Sequence, residues 1–297
     1  MPGFRLADGT PLHLVRRGDP AAAVTVVLLH GYALDQRSWG RIAPVLPDAV
    51  EHPLAVVSYD HRGHGESGRA ARGTATMGQL ADDLAEVIER AVPHGRVVLV
   101  GHDMGGLAVM SLTQRHPELF AARAGGLVLL STSSGRLATE ASAAWPNALG
   151  KLAQDLEMVL GAKLYGLVRE HTSRAVSAGL RWWLFGDDPD PDLVELTVKM
   201  IRGNWPHTIA QFRPALDAYA REAALSLAGD LPVTAIVGER DRIVAPADVE
   251  QFVRGLAQGY AVVLPGVGHV VPLEAAAQVV PRIASVVHEV YRQENLS

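Results

Sequence analysis

Arg96-Val97-Val98-Leu99-Val100-Gly101-His102-Asp103-Met104-Gly105-Gly106 decides the fold. Val97 to Val100 form a continuous apolar run, three of its four residues valine. That is the composition of a short strand buried on both faces. The run enters Gly101-His102-Asp103-Met104-Gly105 with no spacer. This is a G-x-S-x-G pattern with Asp103 in the serine's place, the signature of a strand, a sharp turn and a helix. A bend that tight leaves no room for a Cβ two residues to either side of its tip, so glycine is needed there. A helix is expected to follow from about Met104 to Arg115. Its N-terminal N–H groups favour negative charge at the tip.

The same signals recur outward from this stretch. Val24 to Leu29, Leu54 to Tyr59, Gly126 to Leu130, Val233 to Val237 and Val262 to Leu264 read as buried strands. Leu6-Ala7-Asp8-Gly9-Thr10 reads as a hairpin turn. Thr76 and Gln79 have the spacing of a capping box, and Leu80, Leu84, Val87, Ile88 and Ala91 fall on one face of the helix that follows. From about residue 135 to 219 the pattern is helical. Asp192 is expected to cap one of these helices, after the break at Gly186 to Pro191. A terminal helix is expected from about Glu274 to Arg292, irregular at Pro281. The expectation is an α/β fold: a mostly parallel sheet with helices on both faces and an inserted helical cap. Residues 1–134 and 220–297 would form the core and 135–219 the cap.

Composition narrows the function. The chain has 297 residues, 48% hydrophobic and 20% charged, enough for one large core. A net charge of −5 without a basic stripe argues against nucleic acid as a partner. The absence of cysteine removes thiolate chemistry, and no apolar run is long enough to span a bilayer. The expectation is a cytoplasmic monomer or homodimer acting on a small, partly apolar molecule, with no membrane partner. No cofactor is expected and no metal, since His61 and His64 lack further ligands at a recognisable spacing.

Three residues sit just past expected strand ends, at the sheet edge where ligands bind: Asp103, Asp241 and His269. Their chain order is nucleophile, acid, histidine. His269 would be the base, with Asp241 fixing its tautomer. The backbone amides of Tyr32 and Met104 would form an oxyanion hole.

His30-Gly31, Asp60-His61-Arg62-Gly63-His64-Gly65-Glu66-Ser67, the Asp103 turn, Gly238-Glu239-Arg240-Asp241 and Gly268-His269 together resemble the α/β-hydrolase fold family, over essentially the whole chain. Within that family an aspartate at the turn resembles epoxide hydrolases and haloalkane or haloacetate dehalogenases. The resemblance implies attack of Asp103 on a saturated carbon. A carboxylate nucleophile leaves an ester that water can cut, whereas a serine would leave an ether. Unlike serine, aspartate is anionic at neutral pH without a base. His269 would therefore serve the second step, activating water. Dehalogenases often place Trp after the nucleophile, where this chain has Met104. Epoxide hydrolases often carry Tyr-Arg where Gln211-Phe212-Arg213 stands, so the leaving oxygen's proton would come from Tyr219, Tyr165, Trp182 or Trp183. On a helix only one of the two adjacent indoles would face inward. Asp60, Arg62 and His64 are expected to shape their own loop, and His102 to pack beneath the turn.

An epoxide hydrolase is the first expectation, with a tailoring role in secondary metabolism as its setting. The alternatives are an esterase or lactonase scaffold whose serine has been replaced at 103, a dehalogenase, and a non-catalytic ligand-binding protein.

Overall fold

The computed structural model describes residues 3–132, 173–204, 206–219 and 229–294. A short hairpin, β1 (Phe4–Arg5) and β2 (Pro11–Leu12), opens the chain. Its turn is closed by the Leu6 N–H donating to the Thr10 carbonyl at 2.9 Å. Seven further strands form one sheet: β3 (Leu14–Gly18), β4 (Val24–Leu29), β5 (Leu54–Tyr59), β6 (Arg96–His102), β7 (Ala124–Leu130), β8 (Val233–Gly238) and β9 (Gly259–Leu264). The sheet order is β3-β5-β4-β6-β7-β8-β9, and β3 pairs antiparallel with β5 while the other pairs are parallel. β4 and β6 thus lie at the centre, and the chain reverses direction across the sheet beside them.

The period of two along each strand builds two cores. Val97, Leu99, Val27 and Leu29 face one side, against α1 (Met77–Ala91) and α2 (Met104–Arg115). Val98, Val100, Val26 and Leu28 face the other, against Val279, Ile283, Val286 and Val290 of a long C-terminal helix. Burying both faces is what makes the strands read as unbroken apolar runs. In α1, Leu80, Leu84, Val87, Ile88 and Ala91 are all buried, at the expected helical spacing.

The remaining helices are α3 (Pro117–Arg123), α4 (Ser173–Leu184), α5 (Pro191–Gly203), α6 (Pro206–Tyr219), α7 (Pro246–Val253), α8 (Val271–Glu274) and α9 (Ala276–Gln293). Helices α4 to α6 fall between β7 and β8 in the chain. The boundaries expected at 134/135 and 219/220 involve residues outside those described.

Three local expectations need correction. Asp190, not Asp192, caps α5: its side chain accepts the Asp192 N–H at 3.0 Å, because Pro191 takes the first helical position. The capping box at α1 is half formed. Thr76 accepts the Gln79 N–H at 3.0 Å, but the Gln79 side chain turns to Asp83 instead, at 3.1 Å. The C-terminal helix breaks at Ala275 (φ −128), while Pro281 lies within α9.

No helix among the described residues is long and apolar enough to cross a membrane.

Candidate active site

Asp103 stands between β6 and α2 in a conformation an L-residue rarely takes, φ 48 and ψ −114. The surrounding backbone holds it there. Its N–H donates to the Leu130 carbonyl at 2.9 Å, and its own carbonyl accepts the Gly106 and Leu107 N–H groups at 3.0 and 3.2 Å. The flanking glycines are sterically required. A Cβ on Gly101 would sit 2.5 Å from the Gly106 nitrogen, and one on Gly105 would sit 2.3 Å from the Leu29 carbonyl oxygen. Asp103 is thereby lifted to the C-terminal edge of the sheet, next to the end of β4.

At that end the Tyr32 N–H donates to Asp103 Oδ2 at 2.9 Å. His30 explains why the amide points there. Its Nδ1–H donates to the Gly31 carbonyl at 2.8 Å, and its Nε2 accepts the His61 N–H at 2.9 Å. The Gly31 carbonyl and the Tyr32 N–H belong to one rigid peptide plane, so fixing one aims the other. Gly31 itself fits because a Cβ would lie 2.6 Å from His102 Nδ1. Met104 is the first residue of α2, where N–H groups have no acceptor within the helix.

Asp241 and His269 meet as expected from their strand ends. Nδ1 of His269 lies 3.1 and 3.0 Å from the two Asp241 oxygens. Asp241 Oδ1 also accepts the Ile243 and Val244 N–H groups at 2.9 and 3.0 Å. Burial pushes the Asp241 carboxyl up, but the His269 charge and these hydrogen bonds bring it below its ordinary value. Burial pushes the His269 imidazole down. The Asp241 carboxylate outweighs that, with Asp103 and Glu274 adding to it, and holds His269 up at about 9.

Several residues support this pair that motif spacing alone does not single out. His102 is buried beneath the turn as expected, and its Nε2–H also donates to the His269 carbonyl at 2.9 Å. Burial and the neighbouring His269 charge hold its imidazole down at about 4. Glu274 accepts the Gly186 N–H at 2.8 Å and the Gly268 N–H at 3.2 Å. The His269 N–H donates to the Leu184 carbonyl at 2.8 Å, so the end of α4 is tied to the histidine loop. Glu274 lies five residues past His269, and that adjacency was its only sequence signal, whereas His30 belongs to the His30-Gly31 motif itself.

The loop from Asp60 to Ser67 is a structural support. Asp60 accepts the Gln36 and Glu66 N–H groups at 2.7 and 2.9 Å. Arg62, 1% exposed, pairs with the equally buried Asp83 at 2.5 Å and with Asp8 at 2.9 Å. His64 donates through Nδ1 to the Arg62 carbonyl at 3.2 Å. Among the described residues no cluster of His, Asp or Glu is arranged to hold a metal ion.

Of the expected proton donors, Trp182 and Trp183 have described side chains. Trp182 is 67% exposed, with the Arg242 guanidinium 4.9 Å above its ring, a solvent-facing placement unlike that of a donor inside a pocket. Trp183 is half-buried and packs with Leu184, Phe185 and Met200. One indole of the two therefore faces inward, as helix geometry requires. Phe212 is fully buried, its ring 5.3 Å from that of His64. Tyr165 lies outside the described residues. Tyr219 ends α6, and its side chain is outside the description as well.

Comparison with known proteins agrees with this architecture. Epoxide hydrolase A of Mycobacterium tuberculosis is 37% identical over 124 residues, 41% of this chain and 37% of that protein. The matched stretches cover 44%, 37% and 41% of three curated relatives, well under half of each. Among solved structures, an esterase from Thermogutta terrifontis superposes with a TM-score of 0.75 at 24% identity, over 96% of each chain. An enol-lactonase from Burkholderia xenovorans LB400 gives 0.71 at 22% identity, over 95% of this chain and 98% of its own. At such identities these two likenesses speak to the fold alone. A sequence profile described as the alpha/beta hydrolase fold matches residues 24–276. With that match spanning most of its length, the chain belongs to the alpha/beta hydrolase fold family.

Proposed function

We propose that this hydrolase opens an epoxide to a diol through an alkyl-enzyme ester on Asp103. One observation carries the reading. The side chain at the strained turn is a carboxylate with one oxygen, Oδ2, engaged by the Tyr32 amide. Among the described residues nothing bonds the other oxygen, which is the one that would attack.

In the first step Asp103 Oδ1 bonds to an epoxide carbon, the C–O bond opens, and the ring oxygen takes a proton. A helical cap over the strand ends, residues 135–219, would supply that proton through Tyr219 or Tyr165. In the second step His269 removes a proton from water. The water oxygen adds to the Asp103 carboxyl carbon, and the Tyr32 and Met104 amides hold the resulting oxyanion. Collapse breaks the Cγ–Oδ1 bond, and the departing oxygen takes the proton back from His269. The new carboxyl gives its proton to the deprotonated cap donor, releasing the diol and restoring the carboxylate. Asp241 keeps Nδ1 of His269 protonated, so Nε2 is the basic nitrogen.

The charge balance suits this order. Asp103 helps hold His269 up at about 9 while it is anionic. Esterification removes that charge, so the imidazole becomes easier to deprotonate when a base is needed.

Single turnover in heavy-oxygen water tests the proposal. The diol from the first turnover should be almost unlabelled, and Asp103 should carry the label. His269→Ala should let the ester accumulate as a mass adduct while turnover falls by about 10³-fold or more. A first-turnover diol made wholly with solvent oxygen would refute the ester.

One feature favours a second reading, an ester-cleaving scaffold with its nucleophile replaced. Phe212 offers no hydroxyl to an opening epoxide, and an ester needs none. Asp103→Ser should then confer turnover of short activated esters. An inert serine variant beside an epoxide-opening parent would exclude this reading.

A further inference from the structure

The loop that aims the Tyr32 amide is also gripped by a residue far away in the chain. Asn204 follows α5 as its C-cap and is 4% exposed. Its side-chain amide is engaged on both sides. Nδ2 donates to the Ala33 carbonyl at 2.7 Å and to the Met200 carbonyl at 3.0 Å. Oδ1 accepts the Gly65 N–H at 3.0 Å. One side chain from the inserted helices therefore joins the loop after β4 to the loop after β5.

Ala33 is an unusual partner. Its φ of 60 is left-handed, a region that a residue with a Cβ rarely enters. Such a conformation persists only where the surroundings over-determine it. The carbonyl of this strained residue is the one Asn204 takes. The segment is thus held twice: at Gly31 by His30 and by the Leu34 N–H (3.1 Å), and at Ala33 by Asn204. The Tyr32 N–H that reaches Asp103 lies between these two anchors.

We propose that Asn204 is a positioning residue for the Tyr32 amide, so that the inserted helices complete the donor set facing Asp103. The proposal rests on reading that amide as an oxyanion donor. A plain helix-capping role would need only the bond to Met200.

Selective labelling tests this without reference to any reaction. The chain has six tyrosines, so protein carrying ¹⁵N-tyrosine gives at most six amide signals, and Tyr32→Phe assigns the one at 32. In the parent the Tyr32 amide should exchange slowly with solvent. In Asn204→Ala it should shift and exchange about tenfold faster or more, while the Tyr59, Tyr260 and Tyr291 amides stay in place as controls for the fold. Asn204→Asp keeps the acceptor for Gly65 but loses both donated bonds, and should behave as Asn204→Ala does. It also serves if the alanine variant unfolds. Adding Ala33→Gly to Asn204→Ala removes the left-handed penalty and should restore part of the slow exchange. A helix cap alone predicts no such rescue. With an epoxide substrate, Asn204→Ala should lower kcat about tenfold or more and leave KM nearly unchanged. An unshifted, slowly exchanging Tyr32 amide in both Asn204 variants would overturn the proposal. Failure of every epoxide to react would count against the reaction and leave the amide result to decide the positioning.

Discussion

Replacing Asp103 by Asn should lower the pH at which His269 titrates. Four influences act on that imidazole: burial pushes it down, and Asp241, Asp103 and Glu274 push it up, to about 9. Asn keeps the shape of Asp103 and deletes one of the three upward contributions, so the value must fall below the parent's. Titration of the histidine ring signals, with His269 assigned by His269→Gln, measures this. An unchanged or higher value would show that the Asp103 charge does not reach the imidazole. In the proposed alkyl ester the same charge is gone, so kcat for an epoxide should decline on acidification through a pKa below about 9. At this scale the sequence exposed what a motif names and hid what geometry supplies. Asp103, Asp241 and His269 follow from their positions past apolar runs. Asn204 could not be found in that way, because its partners Ala33 and Gly65 are set by the folded path of the chain and by no spacing within it.

Among the elements, two glycines provide opposite tests of one idea. Gly105→Ala would bring a Cβ to 2.3 Å from the Leu29 carbonyl oxygen, and backbone at the middle of the sheet cannot give way. A loss of about 1–3 kcal/mol or more in urea unfolding is expected, with activity lost in parallel. Gly179→Ala, within α4, meets nothing within 4 Å. It should gain up to about 1 kcal/mol, since alanine has less freedom to lose in a helix. Equal effects from the two changes would refute close packing of α2 on β4. The elements themselves were legible because burial on both faces leaves long apolar runs. The expected bounds of β4, β5 and α2 coincide with those observed. β9 was foreseen from only its last three residues because it lies at the sheet edge, where Tyr260 is 67% exposed. The cap of α5 went astray because Asp190 and Asp192 flank one proline. The fixed φ of Pro191 suits the first helical position and leaves the capping position to Asp190.

For the whole molecule, stability should peak near neutral pH and fall on both sides for different reasons. Four imidazoles, of His30, His61, His64 and His102, are fully buried around the candidate site. The His30 ring lies 4.4 Å from that of His61 and 5.3 Å from that of His64. Burial keeps all four below the ordinary value of 6.5, His64 at about 3 and His102 at about 4. The unfolded chain binds protons at these groups below pH 6.5 while the folded chain does not, so stability falls as pH falls. Four such groups give a slope approaching about 5 kcal/mol per pH unit at most. Asp60, Asp83 and Glu274 oppose this, because burial raises them and the folded chain takes up their protons first. The four imidazoles outnumber these three carboxyls, so the net expectation on the acid side is a fall. His269 acts with the opposite sign. Its folded value of about 9 exceeds 6.5, so its stabilisation is complete below 6.5 and is lost as pH rises through about 9. Urea midpoints at pH 5.0, 6.8 and 8.5 should show the middle value highest. His61→Phe should flatten the acid limb by about one proton, since neither His61 ring nitrogen has a hydrogen-bond partner among the described residues. A midpoint that holds level from pH 6.8 to 5.0 would mean that these imidazoles are protonated inside the folded protein. The neutral acceptor at His30 Nε2, which takes the His61 N–H and helps seat the Tyr32 amide, would then be lost.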